Sequence, residues 1–315
     1  MDGATPVKVA GRKFQDPDKT ADGSQRARAP FRGLETLWVN TGTLCNIECR
    51  NCYIASSPTN DRLVYLTRAE LSPFLDEAAD MGAREIAFTG GEPFMNPDMI
   101  AMAGDALGHG FRVLILTNAM RPMMRRPIRE ALLDLKARYG DLLALRVSLD
   151  HHRADIHDRE RGSGSFEKAM AGLAWLSGNG FSISAAGRAA FGENETDIRN
   201  GFAELFADRQ IMIDASSPAA LVLFPEMDEA APVPEITEAC WSILGKSPDD
   251  VMCSDARMLV KRKGAAAPVV LACTLIPYRD EFEMGASLKE AARPVSLNHP
   301  HCAKFCVLGG ASCSA

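Results

Sequence analysis

Six short apolar runs, separated by amphipathic segments, constrain this chain more than any other feature. The runs are Leu34–Val39, Glu85–Phe88, Phe111–Leu116, Leu143–Leu149, Phe181–Gly187 and Ala219–Phe224. Phe111–Leu116 is almost wholly apolar, as a strand covered on both faces should be. Five segments with helical spacing lie between the runs. Ser72 can cap the first, which runs through Phe74, Leu75 and Ala78; the others are Pro97–Leu107, Pro127–Tyr139, Phe166–Leu176 and Thr196–Ala207. Strands alternating with helices in this way predict an α/β fold, a parallel sheet with right-handed crossovers. A barrel or partial barrel fits the count and puts function on the loops after the strand C-termini.

Outside this block the pattern changes. Residues 1–33 hold seven Lys/Arg and four Asp with little apolar periodicity, and are expected to be a flexible, solvated arm. Residues 226–235 are acidic and proline-rich and read as a linker between the barrel, 34–225, and a second unit, 236–315. In that unit Glu235–Leu244 has helical spacing, Arg257–Lys261 and Val269–Leu271 flank Gly264 as a hairpin would, and Asn298 onward is expected to be loop. So small a module with few large apolar residues usually needs a staple, and metal is the natural one.

Composition bounds the class. With 46% hydrophobic and 24% charged residues in 315, the chain is an ordinary globular protein. No stretch approaches the roughly 18 apolar residues of a spanning helix. Met1–Lys13 lacks the apolar core of a signal peptide, so a cytoplasmic protein with no membrane partner is expected. The net charge of −6 argues against a nucleic-acid partner.

The nine cysteines are unevenly placed: Cys45, Cys49 and Cys52, then none until Cys240, then Cys253, Cys273, Cys302, Cys306 and Cys313. Clustered thiols in a reducing compartment bind metal or do redox chemistry. Cys45-x3-Cys49-x2-Cys52 follows the first strand directly. A four-iron cube wants four ligands, so three thiolates leave one iron open. The other reading is a three-thiolate zinc site completed by a distant histidine. Thr89-Gly90-Gly91-Glu92-Pro93 ends the second strand. There two glycines let the backbone approach a ligand, and the Gly90 and Gly91 carbonyls with the Glu92 carboxylate can hold an ammonium group.

These two motifs, one βα unit apart, resemble those of the radical S-adenosylmethionine (SAM) superfamily. The resemblance runs through the strand ends to about residue 225. It implies a partial (β/α)6 barrel and a [4Fe-4S] cluster on Cys45, Cys49 and Cys52 that binds SAM through its open iron. It also implies reductive cleavage of SAM to a 5′-deoxyadenosyl radical, which takes hydrogen from a small-molecule or peptide substrate. An electron donor such as flavodoxin or ferredoxin would feed the cluster. Tyr53 would pack on adenine. Gly90, Gly91, Glu92, Asn118, Ser148, Asp150 and Arg188 would contact SAM, Arg188 at its carboxylate. Arg161-Gly162-Ser163-Gly164-Ser165-Phe166 also matches relatives, and is read as a structural loop with Ser165 capping a helix.

Cys253 and Cys273 bracket the hairpin, and Phe282-Glu283-Met284-Gly285 follows. This resembles the auxiliary-cluster domain called SPASM, or its shorter twitch form. It implies one auxiliary [4Fe-4S] cluster on Cys253, Cys273, Cys302 and Cys306, for electron transfer or substrate binding, with Cys313 in reserve and Cys240 as packing. His151 and His152, after Asp150, are candidates for proton transfer or for loop packing; His299 and His301 could support the cluster sulfurs. Residues 1–33 are too short for a peptide-recognition domain, which tilts the substrate toward a small molecule. The rival reading is a non-catalytic metal-binding regulatory protein, with zinc or iron–sulfur on the same cysteines.

Overall fold

A computed structural model describes residues 12–309 except 190, 227, 229 and 231. Its elements, in chain order, are β1 (Arg28–Ala29), β2 (Thr36–Asn40), α1 (Arg68–Asp80), β3 (Glu85–Thr89), α2 (Met99–Gly108), β4 (Arg112–Thr117), α3 (Arg121–Met124) and α4 (Arg126–Tyr139). Then come β5 (Leu143–Ser148), α5 (Ala154–Arg161), α6 (Ser165–Gly178), β6 (Ser182–Ala189), α7 (Glu195–Asp208) and β7 (Leu221–Pro225). The C-terminal part holds α8 (Ala239–Leu244), β8 (Ala256–Val260), β9 (Val269–Leu271), β10 (Glu283–Gly285) and β11 (Val295–Ser296). Among the described residues no helix is long and apolar enough to cross a membrane.

One sheet organises the fold, in the order β10-β9-β8-β2-β3-β4-β5-β6-β7. From β8 through β7 every neighbouring pair is parallel. All residues of β2 and β3 are buried, because the sheet wall has helices outside and the cavity within. The sheet curves as an open partial barrel with β7 and β10 at its edges.

Local chemistry sets the helix starts. Thr67 begins α1 with a capping box: its side chain accepts the Glu70 N–H while the Glu70 carboxylate accepts the Thr67 N–H. Ser72, the expected cap, lies inside this helix. Ser165 is likewise the first helical residue of α6 and not its cap. Asp158 does that work, accepting from the N–H groups of Gly164 (2.6 Å) and Phe166 (2.8 Å) and from the Ser165 hydroxyl (3.1 Å). The helix α5 was not expected, and its polar sequence explains why.

Two regions depart further from expectation. Over residues 12–33 the solvated arm is instead docked. Arg26 is fully buried and pairs with Glu235 (2.5 Å), while Ala27 and Ala29 are buried and β1 pairs antiparallel with β11. Glu235, at the end of the expected linker, also accepts from the Phe14 and Ala21 N–H groups. A charged pair so buried is tolerated because carbonyls of Asp16, Lys19 and Leu297 take three of the four remaining guanidinium protons. At the other end, Cys302–Val307 forms a π-helix where loop was expected. Cys313 lies outside the described residues.

Candidate active site

The cavity at the C-terminal ends of β2–β6 has a volume of about 170 Å³. Cys45, Cys49 and Cys52 line it from the loop after β2. Tyr53, Gly90, Gly91, Asn118, Ser148, Asp150 and Arg188 line it as well. Cys45 is 5% exposed, and Cys49 and Cys52 are half-buried. The Ser56 N–H approaches Cys52 Sγ at 3.3 Å and Asn118 Nδ2 approaches Cys45 Sγ at 3.8 Å.

Gly90 and Gly91 do more than face the cavity: the cysteine loop rests on them. A Cβ at Gly91 would lie 2.1 Å from the Leu44 carbonyl oxygen, and one at Gly90, where φ is +143°, 2.5 Å from that of Gly42. The Gly91 N–H donates to Gly42 O (2.8 Å) and the Glu92 N–H to Leu44 O (3.1 Å). Glu92 itself is 1% exposed and is not on the cavity wall. Its carboxylate accepts from Thr117 Oγ1 (2.8 Å), the Asn118 N–H (2.9 Å) and the Phe94 N–H (3.3 Å). It therefore ties the end of β3 to the end of β4 and does not reach out to an ammonium group. Burial pushes this carboxyl up to about 7 despite its three donors.

Asp150 and Arg188, expected at SAM, already have protein partners. Asp150 accepts from Arg161 (2.8 Å), and Arg188 Nη1 lies 3.6 Å from Glu160. Glu160 also accepts from Asn51 Nδ2 (2.8 Å). Arg161 was missed as a cavity residue, because it opens a Gly/Ser-rich segment that reads as structure and is one of three arginines between Asp150 and Gly162. Burial raises the Cys45 thiol to about 12, with Glu92, Cys49 and Cys52 adding to it. Burial raises Cys49 too, while Arg161 and Arg188 oppose the shift. Metal binding would have to displace these protons, and the two guanidiniums favour that.

The donor set discriminates between metals. Three thiols face this cavity and no histidine does among the described residues. That fits a cube with one open iron and leaves the expected three-thiolate zinc site without its histidine.

His151 and His152 lie off the cavity wall. Together with Glu193 they come close enough to share an ion. However, His151 Nδ1 accepts the Arg153 N–H (3.0 Å), so the ring proton sits on Nε2 and goes to Glu193 (2.5 Å). That tautomer leaves His151 no lone pair for a metal.

A second, apolar cavity gathers Cys253, Cys273, Cys302 and Cys306, walled by Val251, Met252, Leu275, Ile276 and Phe282, with His301 beside them. Cys240 is elsewhere, its sulfur 3.4 Å from the Thr237 N–H. Beneath lies Arg257, 1% exposed, donating to the carbonyls of Cys253, Ala256, Ala291 and Arg293. Burial pulls it down to about 10, while Cys253 and the Asp255 carboxylate oppose the shift. A buried cation of this kind suits a thiolate-bound, anionic centre. Leu275 lines both cavities.

A model of the radical SAM superfamily matches residues 39–204, more than half of the chain. An AdoMet-dependent heme synthase of Methanosarcina barkeri (strain Fusaro / DSM 804) is 34% identical over 133 residues, 41% of this chain and 35% of that protein. The antilisterial bacteriocin subtilosin biosynthesis protein AlbA of Bacillus subtilis (strain 168) is 27% identical over 157 residues, 50% of this chain and 33% of that one. The matched segment thus spans about a third of each relative's length. Streptococcus suis SuiB, solved bound to S-adenosylmethionine, shares the fold with a TM-score of 0.58 at 12% identity, over 81% of this chain and 63% of that one.

Proposed function

Because the chain belongs to the radical SAM superfamily, whose cofactors are a [4Fe-4S] cluster and SAM, we propose that it is an oxidising member with a second, auxiliary cluster. Cys45, Cys49 and Cys52 would hold the SAM cluster; Cys253, Cys273, Cys302 and Cys306 would hold the auxiliary one. When bound, these groups supply reductive cleavage of SAM to a radical that takes hydrogen from substrate, and a nearby acceptor for the electron then left on it.

The observation that carries the reading is the shared wall: Leu275 faces the three-cysteine cavity on one side and the four-cysteine cavity on the other. The two cavities thus share a wall residue, which supports placing the two centres as neighbours. The chain's own residues supply the rest. Gly90 and Gly91 hold the cysteine loop at the sheet edge, and Arg161 and Arg188 favour thiolate there. Arg188 and Ser148 present polar groups to SAM, and Tyr53 a ring to its adenine. Phe224, Phe305 and Ala186 form an apolar wall that would receive an uncharged part of the substrate and exclude water. That substrate is a small molecule or a peptide; the likeness to AlbA supports the peptide. A flavodoxin or ferredoxin would deliver the electrons. The rival, non-catalytic reading gives Ser148 no role and leaves Asn118 and Arg188 only their protein partners.

The test is anaerobic purification with metal counting and assay of 5′-deoxyadenosine. We expect brown protein with about eight irons and eight sulfides per chain, two cubes, and deoxyadenosine formed on reduction with SAM. Colourless, zinc-bearing protein that leaves SAM intact would overturn the proposal.

A further inference from the structure

The turn that follows Cys52 is held from the C-terminal part of the chain. Ala55 has φ +49°, in the left-handed region where a residue with a Cβ is disfavoured. Both neighbouring carbonyls are pinned. Tyr278 donates its hydroxyl proton to Ile54 O (2.7 Å), and Asn60 Nδ2 donates to Ala55 O (2.7 Å). Asn60 also donates to the Tyr278 oxygen (3.3 Å). The Arg62 guanidinium lies over the Tyr278 ring, 3.6 Å from its centre. Directly after Ala55, the Ser56 N–H points at Cys52 Sγ, and directly before Ile54, Tyr53 lines the cavity. Tyr278 is itself five residues beyond Cys273 and three beyond Leu275, on the loop that walls both cavities.

We propose that Tyr278 is a positioning residue for the SAM-cluster loop: its hydroxyl keeps the Ile54–Ala55–Ser56 turn in its strained form, so the C-terminal lobe completes the first cysteine site. The inference rests on the cluster assignment at Cys45, Cys49 and Cys52 and goes beyond it. Among the described residues Tyr278 makes no hydrogen bond to a thiol, and it acts through the Ile54 carbonyl. Strained backbone persists only where its surroundings over-determine it; here Asn60 supplies local contacts to the Ile54 and Ala55 carbonyls (3.4 and 2.7 Å) and Tyr278 the distant one, from more than 200 positions away.

The test uses full-length, anaerobically reconstituted protein and follows iron release to bathophenanthroline disulfonate. The fast-responding pool is identified by its absence from a Cys45/Cys49/Cys52→Ala protein. In Tyr278→Phe, which keeps the ring under Arg62, the SAM-cluster pool should be extracted about tenfold faster, the change expected for one lost buried hydrogen bond. The auxiliary pool should be extracted at the wild-type rate. Ala55→Gly adopts the left-handed form without strain, so adding it to Tyr278→Phe should restore most of the wild-type rate. The reduced, SAM-bound electron paramagnetic resonance signal should broaden in Tyr278→Phe and sharpen again in the double variant. Unchanged extraction in Tyr278→Phe, equal acceleration of the auxiliary pool, or no rescue by Ala55→Gly would each overturn the proposal. Wild-type protein lacking the three-cysteine pool would overturn the cluster assignment, and this inference with it.

Discussion

Gly91→Ala tests whether the second glycine of the Gly-Gly-Glu-Pro motif serves the cysteine loop as a seat. The added methyl would sit 2.1 Å from the Leu44 carbonyl oxygen, 2.5 Å from its carbon and 2.8 Å from the Thr43 oxygen. These atoms are backbone, so no side chain can swing aside and the loop must retreat. The retreat breaks the bonds from the Gly91 N–H to Gly42 O and from the Glu92 N–H to Leu44 O. Two such bonds contribute about 1 kcal/mol each, and overpacking costs about 1–3 kcal/mol. The sum, about 3–5 kcal/mol, is a large share of the roughly 5–15 kcal/mol by which domains are stable. Urea unfolding of the iron-free protein should show the loss, and reconstitution should restore less iron to the three-cysteine site. Gly178→Ala is the control: Gly178 ends α6 and nothing lies within 4 Å of its Cβ position. That change should be neutral or stabilise by up to about 1 kcal/mol. If Gly91→Ala unfolds with the wild-type midpoint and takes up full iron, the seat does not exist.

Four further outcomes are expected. Replacing Cys45, Cys49 and Cys52 together by Ala should remove about four irons and abolish deoxyadenosine formation while the auxiliary iron stays; persisting SAM cleavage would refute the catalytic assignment. Cys273→Ala should lose the other four or so irons and make residues 236–309 more susceptible to proteolysis, with SAM cleavage uncoupled from substrate but still present; an unchanged iron count would exclude Cys273 as a ligand. Arg188→Ala should weaken SAM binding roughly 10- to 100-fold, and Arg188→Lys should recover part, with iron intact in both. Calorimetric titration with SAM decides this, and wild-type affinity in the Ala variant would leave Arg188 only its pairing with Glu160. Glu92 gives a pH effect. Its carboxyl is raised from 4.5 to about 7 by burial, so its stabilising contribution is complete below pH 4.5 and is lost as pH rises through about 7. Glu92→Gln should flatten the fall in iron-free stability across that window, by up to about 3 kcal/mol; an identical pH profile would show that Glu92 is ionised at no cost.

Much of this was legible in the sequence because burial on both faces of a strand writes itself as an unbroken apolar run. The strands β2–β7 differ from expectation by one or two residues at their ends. Helix starts were less legible where two signals competed: Thr67 with Glu70 is a capping box written in the sequence, yet Ser72 also suits a cap. The cysteines were legible as two sets because thiols have few other uses in such a pattern, and the structure brings the four favoured late ones to a single cavity. Glu92 was not legible, since its partners Thr117 and Asn118 meet it only once β3 and β4 are paired. The docking of residues 12–33 was illegible for the same reason: its anchor, Arg26, is an ordinary surface cation until Glu235 and Leu297 close over it.

The pairing of β2 with β8 has a consequence for synthesis. Thr36 meets Ala256, and Val39 meets Leu259, in a parallel ladder. One side of β2 can pair with β3 soon after both leave the ribosome, but the other must wait for more than 200 further residues. At roughly 5–20 residues per second this delay is on the order of tens of seconds. Throughout it the nascent chain carries an exposed apolar strand edge, the kind that recruits neighbours into aggregates. The cysteine loop springs from that same strand, so its thiols stay on an unfinished wall until the hairpin arrives. If the cluster proposed for Cys45, Cys49 and Cys52 sits on this loop, its delivery waits for β8, and truncation before β8 should yield insoluble, iron-poor protein even though all three cysteines are present.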